Sequence, residues 1–307
     1  MNLFDTRTSN IKKDTISMSD TIKEREGIEK MKRKLFCEIC PLTYALSVKK
    51  CEALRSLQDI KDKHTFARTF SSEKLEYVIY KHNSLIRRRL GNVDMELQEN
   101  KAVNLSLAAP KVNTVLIRPG ETFSFWNLVG SLTVKKGYRE GLTIFSDHPS
   151  SGLGGGMCQM TNLIHWMILH SELTITEHHH HDQIDLFPDF NRTIPFGTGT
   201  SIMYNYLDYR FRNDTDNTYQ LMIHTTDEYL CGELRAEKRQ SYKFHIQAEN
   251  VYFSREGDIV YRNGDVYREK IDRRTGEHVS RELIRHNHAR VCYDTSDLTI
   301  VETKTAV

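Results

Sequence analysis

Apolar positions along the chain change rhythm near Pro110. Ahead of it, from residue 31, they recur at helical intervals. Pro41 suits a first helical turn, and Leu42, Leu46, Leu54 and Leu57 predict one apolar stripe. A second helix is expected over 72–89, carrying Leu75, Val78, Ile79 and Leu85 and ending at Gly91. A third is expected over 95–108, stopping before Pro110. Residues 1–30 are polar and poor in aromatics, which predicts a disordered lead with Met31 as a second candidate start.

After Pro110 the chain reads as short strands and turns. Residues 115–117 run into the turn signal Arg118-Pro119-Gly120, and 122–126 read as a strand. Helix returns at Cys158 and lasts to about His170, with Met160, Leu163, Ile164 and Met167 on one face. Strands follow over 173–179, along a long aromatic stretch at 201–213, and over 219–224, 230–235 and 242–246. Residues 251–294 predict further strands with tight turns such as Asn263-Gly264.

This pattern predicts an α+β fold: a helical N-terminal portion, then a mostly antiparallel sheet region packed on a central helix that begins at Cys158. The expected organisation is a lead over 1–30, a helical region over 31–110, a core over 111–240 and a β-rich extension over 241–307.

Composition narrows the partners. A net charge of +2 argues against a dedicated nucleic-acid surface. The six cysteines, at 37, 40, 51, 158, 231 and 292, lack disulfide-frame spacing and read as reduced thiols. Cys37 and Cys40 form a lone CxxC with no second metal-binding pair. No apolar run reaches the roughly 18 residues of a membrane span. The run over 35–47 follows Lys32-Arg33-Lys34 but contains Glu38 and lacks a small-residue cleavage site. The default expectation is a cytoplasmic protein without a cofactor.

Cys158 carries the strongest chemical signal. It ends the run Gly152-Leu153-Gly154-Gly155-Gly156-Met157-Cys158-Gln159, where a glycine-rich turn becomes a helix. Unpaired N–H groups there stabilise a thiolate, and the amides around Gly155, Gly156 and Gln159 are candidate oxyanion donors. The plain alternative is a tight turn followed by a small buried hydrophobe.

A thiol nucleophile needs a base. His165, seven residues along the helix, lies about 10 Å away by rise, which favours packing for it and for His170. The run His178-His179-His180-His181 follows a short strand that returns beside the helix. Alternation puts His179 and His181 on one face with Glu177. Such a pair serves as a proton shuttle oriented by a carboxylate, as metal ligands with Cys158 or Asp182, or as a polar surface loop. Phe196-Gly197-Thr198-Gly199-Thr200 reads as a loop rimming a cleft. Tyr204, Tyr206 and Asp208 would share a strand face, either binding a peptide or sugar or lying under another layer.

Taken in order, Pro119-Gly120-Glu121-Thr122-Phe123-Ser124-Phe125, Val129-Gly130, Gly137-Tyr138, Gly154 to Gln159, the histidines after Glu177, and Tyr204-Asn205-Tyr206-Leu207-Asp208 resemble the VanW family over about 92–235. The flanks look like the family's short form, associated with vancomycin-B-type resistance clusters. The resemblance implies a cell-wall role. Longer exported relatives carry peptidoglycan-binding modules, and some VanW domains are regarded as L,D-transpeptidases that use the motif cysteine. Cys158 matches that cysteine, and His179 and His181 match the two family histidines. Relatives often have Arg and Pro where His178 and His180 stand, and Gly-Arg-Asp where Gly197-Thr198-Gly199 stands, so this loop lacks an orienting carboxylate. The expected activity is cysteine-dependent acyl transfer on peptidoglycan stem peptides or precursors. The alternatives are an accessory protein that binds cell-wall precursors or resistance partners, and a histidine-based metal site.

Overall fold

The computed structural model describes residues 36, 39–61, 65–88, 94–145, 148–180, 184–186, 188–189, 194–204 and 206–302. The lead over 1–30, Cys37 and His181 lie outside them. Contacts group the chain into two units, 1–50 and 51–307. Helix α1 (Pro41–Lys61) contains the division. Its expected apolar stripe is not buried, for Leu42, Leu46, Leu54 and Leu57 are all exposed.

The second unit is α+β. One antiparallel sheet has the order β1-β3-β10-β11-β2, built from β1 (Thr69–Phe70), β2 (Tyr77–Leu85), β3 (Val115–Ile117), β10 (Tyr219–Thr225) and β11 (Tyr229–Ala236). Against it pack α2 (Met95–Val112), which contacts β10, and α4 (Met157–Leu169), which contacts β2 and β11. Met160, Leu163, Ile164 and Met167 of α4 are essentially inaccessible, as are Leu221, Leu230 and Leu234 of the sheet. Burial of that helical face is the main fixed support of the Cys158 end.

A three-stranded sheet, β4-β9-β7, joins β4 (Thr122–Ser124), β9 (Arg210–Arg212) and β7 (Thr174–Glu177). The hairpin of β5 (Glu140–Phe145) and β6 (His148–Leu153) leads into the glycine turn before α4. The last sheet, β15-β12-β13-β14-β8, is dominated by three long strands, β12 (Tyr242–Glu256), β13 (Ile259–Asp272) and β14 (His278–Val291). Its edges are β8 (Ile184–Asp185) and β15 (Ile300–Glu302), each paired in parallel.

Several local expectations are corrected. Where a helix is expected over 72–89, residues Tyr77–Leu85 form strand β2. Tyr77, Val78, Ile79 and Tyr80 suit a pleated surface, and pairing with β11 outweighs a short helical match. Helix α2 runs through Pro110 to Val112, because a proline in the last turn removes only one terminal bond. The expected strand over 122–126 stops at Ser124, whose hydroxyl accepts the Asn127 N–H and caps a short helix, α3 (Phe125–Val129). Helix α4 starts at Met157, capped by Gly156. Among the described residues of the stretch 201–213, only β9 is a strand. Asn263-Gly264 lies inside β13 opposite a bulge at Glu249/Tyr252, while the turn is made at Gly257.

Among the described residues, no helix is long and apolar enough to cross a membrane.

Candidate functional site around Cys158

The glycine turn is a close approach of two backbones. A Cβ on Gly155 would lie 2.2 Å from the Gly141 carbonyl carbon. Gly156, at φ +103°, caps α4 without a side chain, and a Cβ there would lie 2.2 Å from Lys101 Cγ. Asn104 of α2 locks the turn, donating to the Gly155 and Arg139 carbonyls at 3.0 Å and accepting the Arg139 N–H at 2.8 Å. The Gly155 N–H is itself used inside the turn, donating to Gly152 O at 3.0 Å. Gln159 faces elsewhere: its amide donates to Ser84 Oγ and Leu85 O of β2, both at 2.9 Å. It ties α4 to the sheet.

Cys158 is partly exposed in the first turn of α4. Burial of the thiol pushes its pKa up, and hydrogen bonds from the Ile202 and Cys158 backbone N–H groups pull the other way without reversing the shift. Among the described residues no imidazole hydrogen-bonds the sulfur.

Ile202 reaches the sulfur because the loop over 198–202 is sewn to α4. Asn162 Oδ1 accepts the Thr200 N–H at 2.6 Å and its hydroxyl at 2.8 Å, and Thr161 and Thr200 share a 2.5 Å hydroxyl contact. The same loop holds the histidine segment. His178 Nε2–H donates to Gly199 O at 2.9 Å, and the Ser201 N–H donates to His179 O at 2.6 Å. Consecutive amides, Ser201 and Ile202, therefore serve His179 and Cys158.

His179 is oriented by a carboxylate, its Nε2–H donating to Glu177 Oε1 at 3.0 Å. Glu177 is half-buried. Burial alone would raise its pKa, but bonds from Arg55, His179 and the Asp208 N–H lower it, so it is held ionised. The network extends through Arg210, which pairs with Asp59 and Asp208 at 2.5 and 2.7 Å.

Three other histidines form a cluster. His178 lies tilted at 31° against His165 and edge-on at 60° to His180, with centroids 4.1 and 4.0 Å apart, and His165 Nδ1 lies 3.1 Å from the Tyr209 hydroxyl. His165 is completely buried, and burial, followed by the charges of His178 and His180, drives its pKa well down. Among the described residues, no group of three or more His, Cys, Asp or Glu side chains is placed to hold a metal ion.

The expected strand face of Tyr204, Tyr206 and Asp208 does not form. Met203 bridges to Leu207 across a turn, which separates the three. Tyr206 is exposed, and Tyr204 packs edge-on against Trp126 at 5.4 Å. Asp208 is buried and fully engaged, accepting from Ser124 Oγ at 2.6 Å, Trp126 N at 3.1 Å, Tyr209 N at 2.8 Å and Arg210 Nε at 2.7 Å. The groups that sequence reasoning did not single out are Asn162, Thr161, Arg55, Asp59 and the Ile202 amide. They become visible only when α1, α4 and the 198–202 loop meet, and no local motif signals that meeting.

Residues 100–235 match the family model described as VanW like protein. The Vancomycin B-type resistance protein VanW of Enterococcus faecalis is 35% identical over 228 residues, spanning 74% of this chain and 82% of that protein. The Uncharacterized protein YoaR of Bacillus subtilis is 29% identical over 118 residues, 38% of this chain and 36% of its own length. No solved structure matches.

Proposed function

The chain belongs to the VanW family, and from that premise we propose that it serves vancomycin resistance as a cysteine-dependent acyl transferase on peptidoglycan stem peptides or their precursors. The observation that carries this reading is the carboxylate-oriented imidazole of His179 on the segment that the loop over 198–202 binds, the same loop that is sewn to α4 beside Cys158. With Nε2–H given to Glu177, neutral His179 keeps its lone pair on Nδ1. That nitrogen takes the Cys158 proton once a bound substrate draws the two together. The thiolate attacks the peptide carbonyl, the C–N bond breaks, and the leaving amine accepts the proton from His179. An acceptor amine then returns a proton to His179 and displaces sulfur, which restores the thiol and forms the new amide. The Ile202 N–H supplies a nearby donor for developing negative charge.

The raised pKa of the buried thiol favours a second reading, an accessory protein that binds cell-wall precursors without chemistry at Cys158. Incubation with a stem-peptide thioester followed by intact-protein mass spectrometry separates the two. Acyl transfer predicts a one-to-one adduct that maps to Cys158 and is lost in Cys158→Ser. A folded protein that binds the peptide and stays unmodified leaves the accessory reading.

A further inference from the structure

One face of α2 carries a largely buried lysine and a buried amide nitrogen without a partner among the described residues. Lys101 is 6% exposed and Gln98 is wholly inaccessible. Gln98 Oε1 accepts the Arg88 N–H at 3.4 Å, but its Nε2 has no partner among the described residues. Lys101 has neither a hydrogen bond nor an ion pair among them. Burial lowers its pKa to about 8, with the charges of Arg88 and Arg87 adding to the effect. The two residues are three apart and so lie side by side on the helix.

Their position makes the deficit larger. The aliphatic stem of Lys101 lies across Gly156, the residue that caps α4. Glycine offers no side-chain acceptor, so the positive end of α4 has no side-chain cap. A lysine packed on a helix N-terminus is the reverse of the favourable charge pairing. Lys101, the Gln98 amide and the α4 terminus all await the same thing, an anion. A single buried cation neutralises one negative charge, so a carboxylate matches it better than a phosphate dianion.

We propose that Lys101 and Gln98, at the N-terminus of the Cys158 helix, form a subsite for the carboxylate of a peptide substrate. The subsite rests on the acyl-transfer reading for its choice of substrate. It adds that the peptide is recognised by a free carboxylate, with Lys101 and Gln98 as binding groups and no role for either in bond breaking.

The test is calorimetric binding of acetyl-D-alanyl-D-alanine and of its C-terminal carboxamide to the full chain, with inorganic phosphate and acetate as competitors. The free acid is expected to bind at least about tenfold more tightly than the amide, as a charge-assisted bond to a buried ammonium requires. Lys101→Met should remove that preference. Gln98→Glu, which supplies a carboxylate from within, should raise the melting temperature and abolish peptide binding. Equal binding of acid and amide, absence of binding by both, a preference that survives Lys101→Met, or a Gln98→Glu variant that melts lower and still prefers the acid each overturns the subsite. Phosphate that displaces the peptide more strongly than acetate does overturns the carboxylate assignment. The two ideas fail separately. A Cys158 adduct formed equally from acid and amide probes leaves acyl transfer without this subsite, whereas acid preference with an inert Cys158 leaves the subsite without acyl transfer.

Discussion

Glu177 Oε1 accepts the His179 Nε2–H at 3.0 Å, and the same carboxylate pairs with Arg55 and accepts the Asp208 N–H at 2.9 Å. One side chain thus fixes an imidazole tautomer and anchors it to α1 and to the chain before β9. The proposed acyl transfer gives this pair its chemical meaning, as the base for Cys158.

Glu177→Gln should therefore uncouple orientation from folding. The neutral amide keeps the volume and a carbonyl for the Asp208 N–H, but it loses the charge that favours imidazolium and the ion pair with Arg55. Acylation of Cys158 by a stem-peptide thioester is expected to fall by about a hundredfold, within the range of general acid–base effects. The rate comes from quenched-flow mass spectrometry, with Cys158→Ser as the zero. An unchanged rate would remove the Glu177–His179 pair from the reaction.

The thiols should react in an order set by their surroundings. The backbone N–H and side chain of Thr43 lower the pKa of exposed Cys40, whereas burial raises that of Cys158. At neutral pH more of Cys40 is thiolate, and it is also open to reagent. Peptide-resolved iodoacetamide labelling of the free protein at pH 7.5 should modify Cys40 at least about ten times faster than Cys158. Faster labelling of Cys158 would mean a site already activated before substrate arrives.

Asp208 was a candidate for contact with substrate, yet its four internal bonds predict a structural effect. Asp208→Asn replaces an acceptor of four hydrogen bonds by an amide that cannot accept them all. It also strips Arg210 of one of its carboxylates. Breaking a buried pair from one side costs about 3–5 kcal/mol. The urea midpoint should fall accordingly, and Ser124→Ala should cost only about 1 kcal/mol, as for a lost hydrogen bond and cap. Unchanged stability in Asp208→Asn would return the residue to the surface role.

The fold class, the apolar face of α4 and the strands that bury alternate residues were legible because each is a local periodicity. Tyr77 to Leu85 was misread because four apolar residues fit both periods, and only pairing with β11 decides between them. Ser124 ended a strand early because a serine cap is visible only once the helix after it is known. In the site, Cys158 and the Glu177-to-His180 segment stood out by residue type. The residues that join them did not: Asn162 and Ile202 act through an amide oxygen and a backbone N–H, groups that every sequence offers everywhere.

Buried histidines predict a fall in stability under mildly acid conditions. Burial lowers the pKa of His165 well below 6.5, that of His170 to about 4, and that of His82 to a smaller extent. In the unfolded chain all three titrate near 6.5. As pH drops below 6.5 the unfolded state takes up protons that the folded state refuses, so stability declines down to about 4, by at most ~1.4 kcal/mol per pH unit for each such histidine. The raised carboxyls of Glu172 and Asp185 work in the opposite sense: between their raised folded values and the unfolded values near 4 the folded state binds the extra protons, which makes the histidine-driven fall shallower there. Urea midpoints at pH 7.5, 6.5 and 5.5 should fall stepwise. His170→Phe, which preserves a flat ring for the 3.8 Å stack on Tyr80, should make the fall shallower. A midpoint that stays level from pH 7.5 to 5.5 would show that these rings accept protons without unfolding.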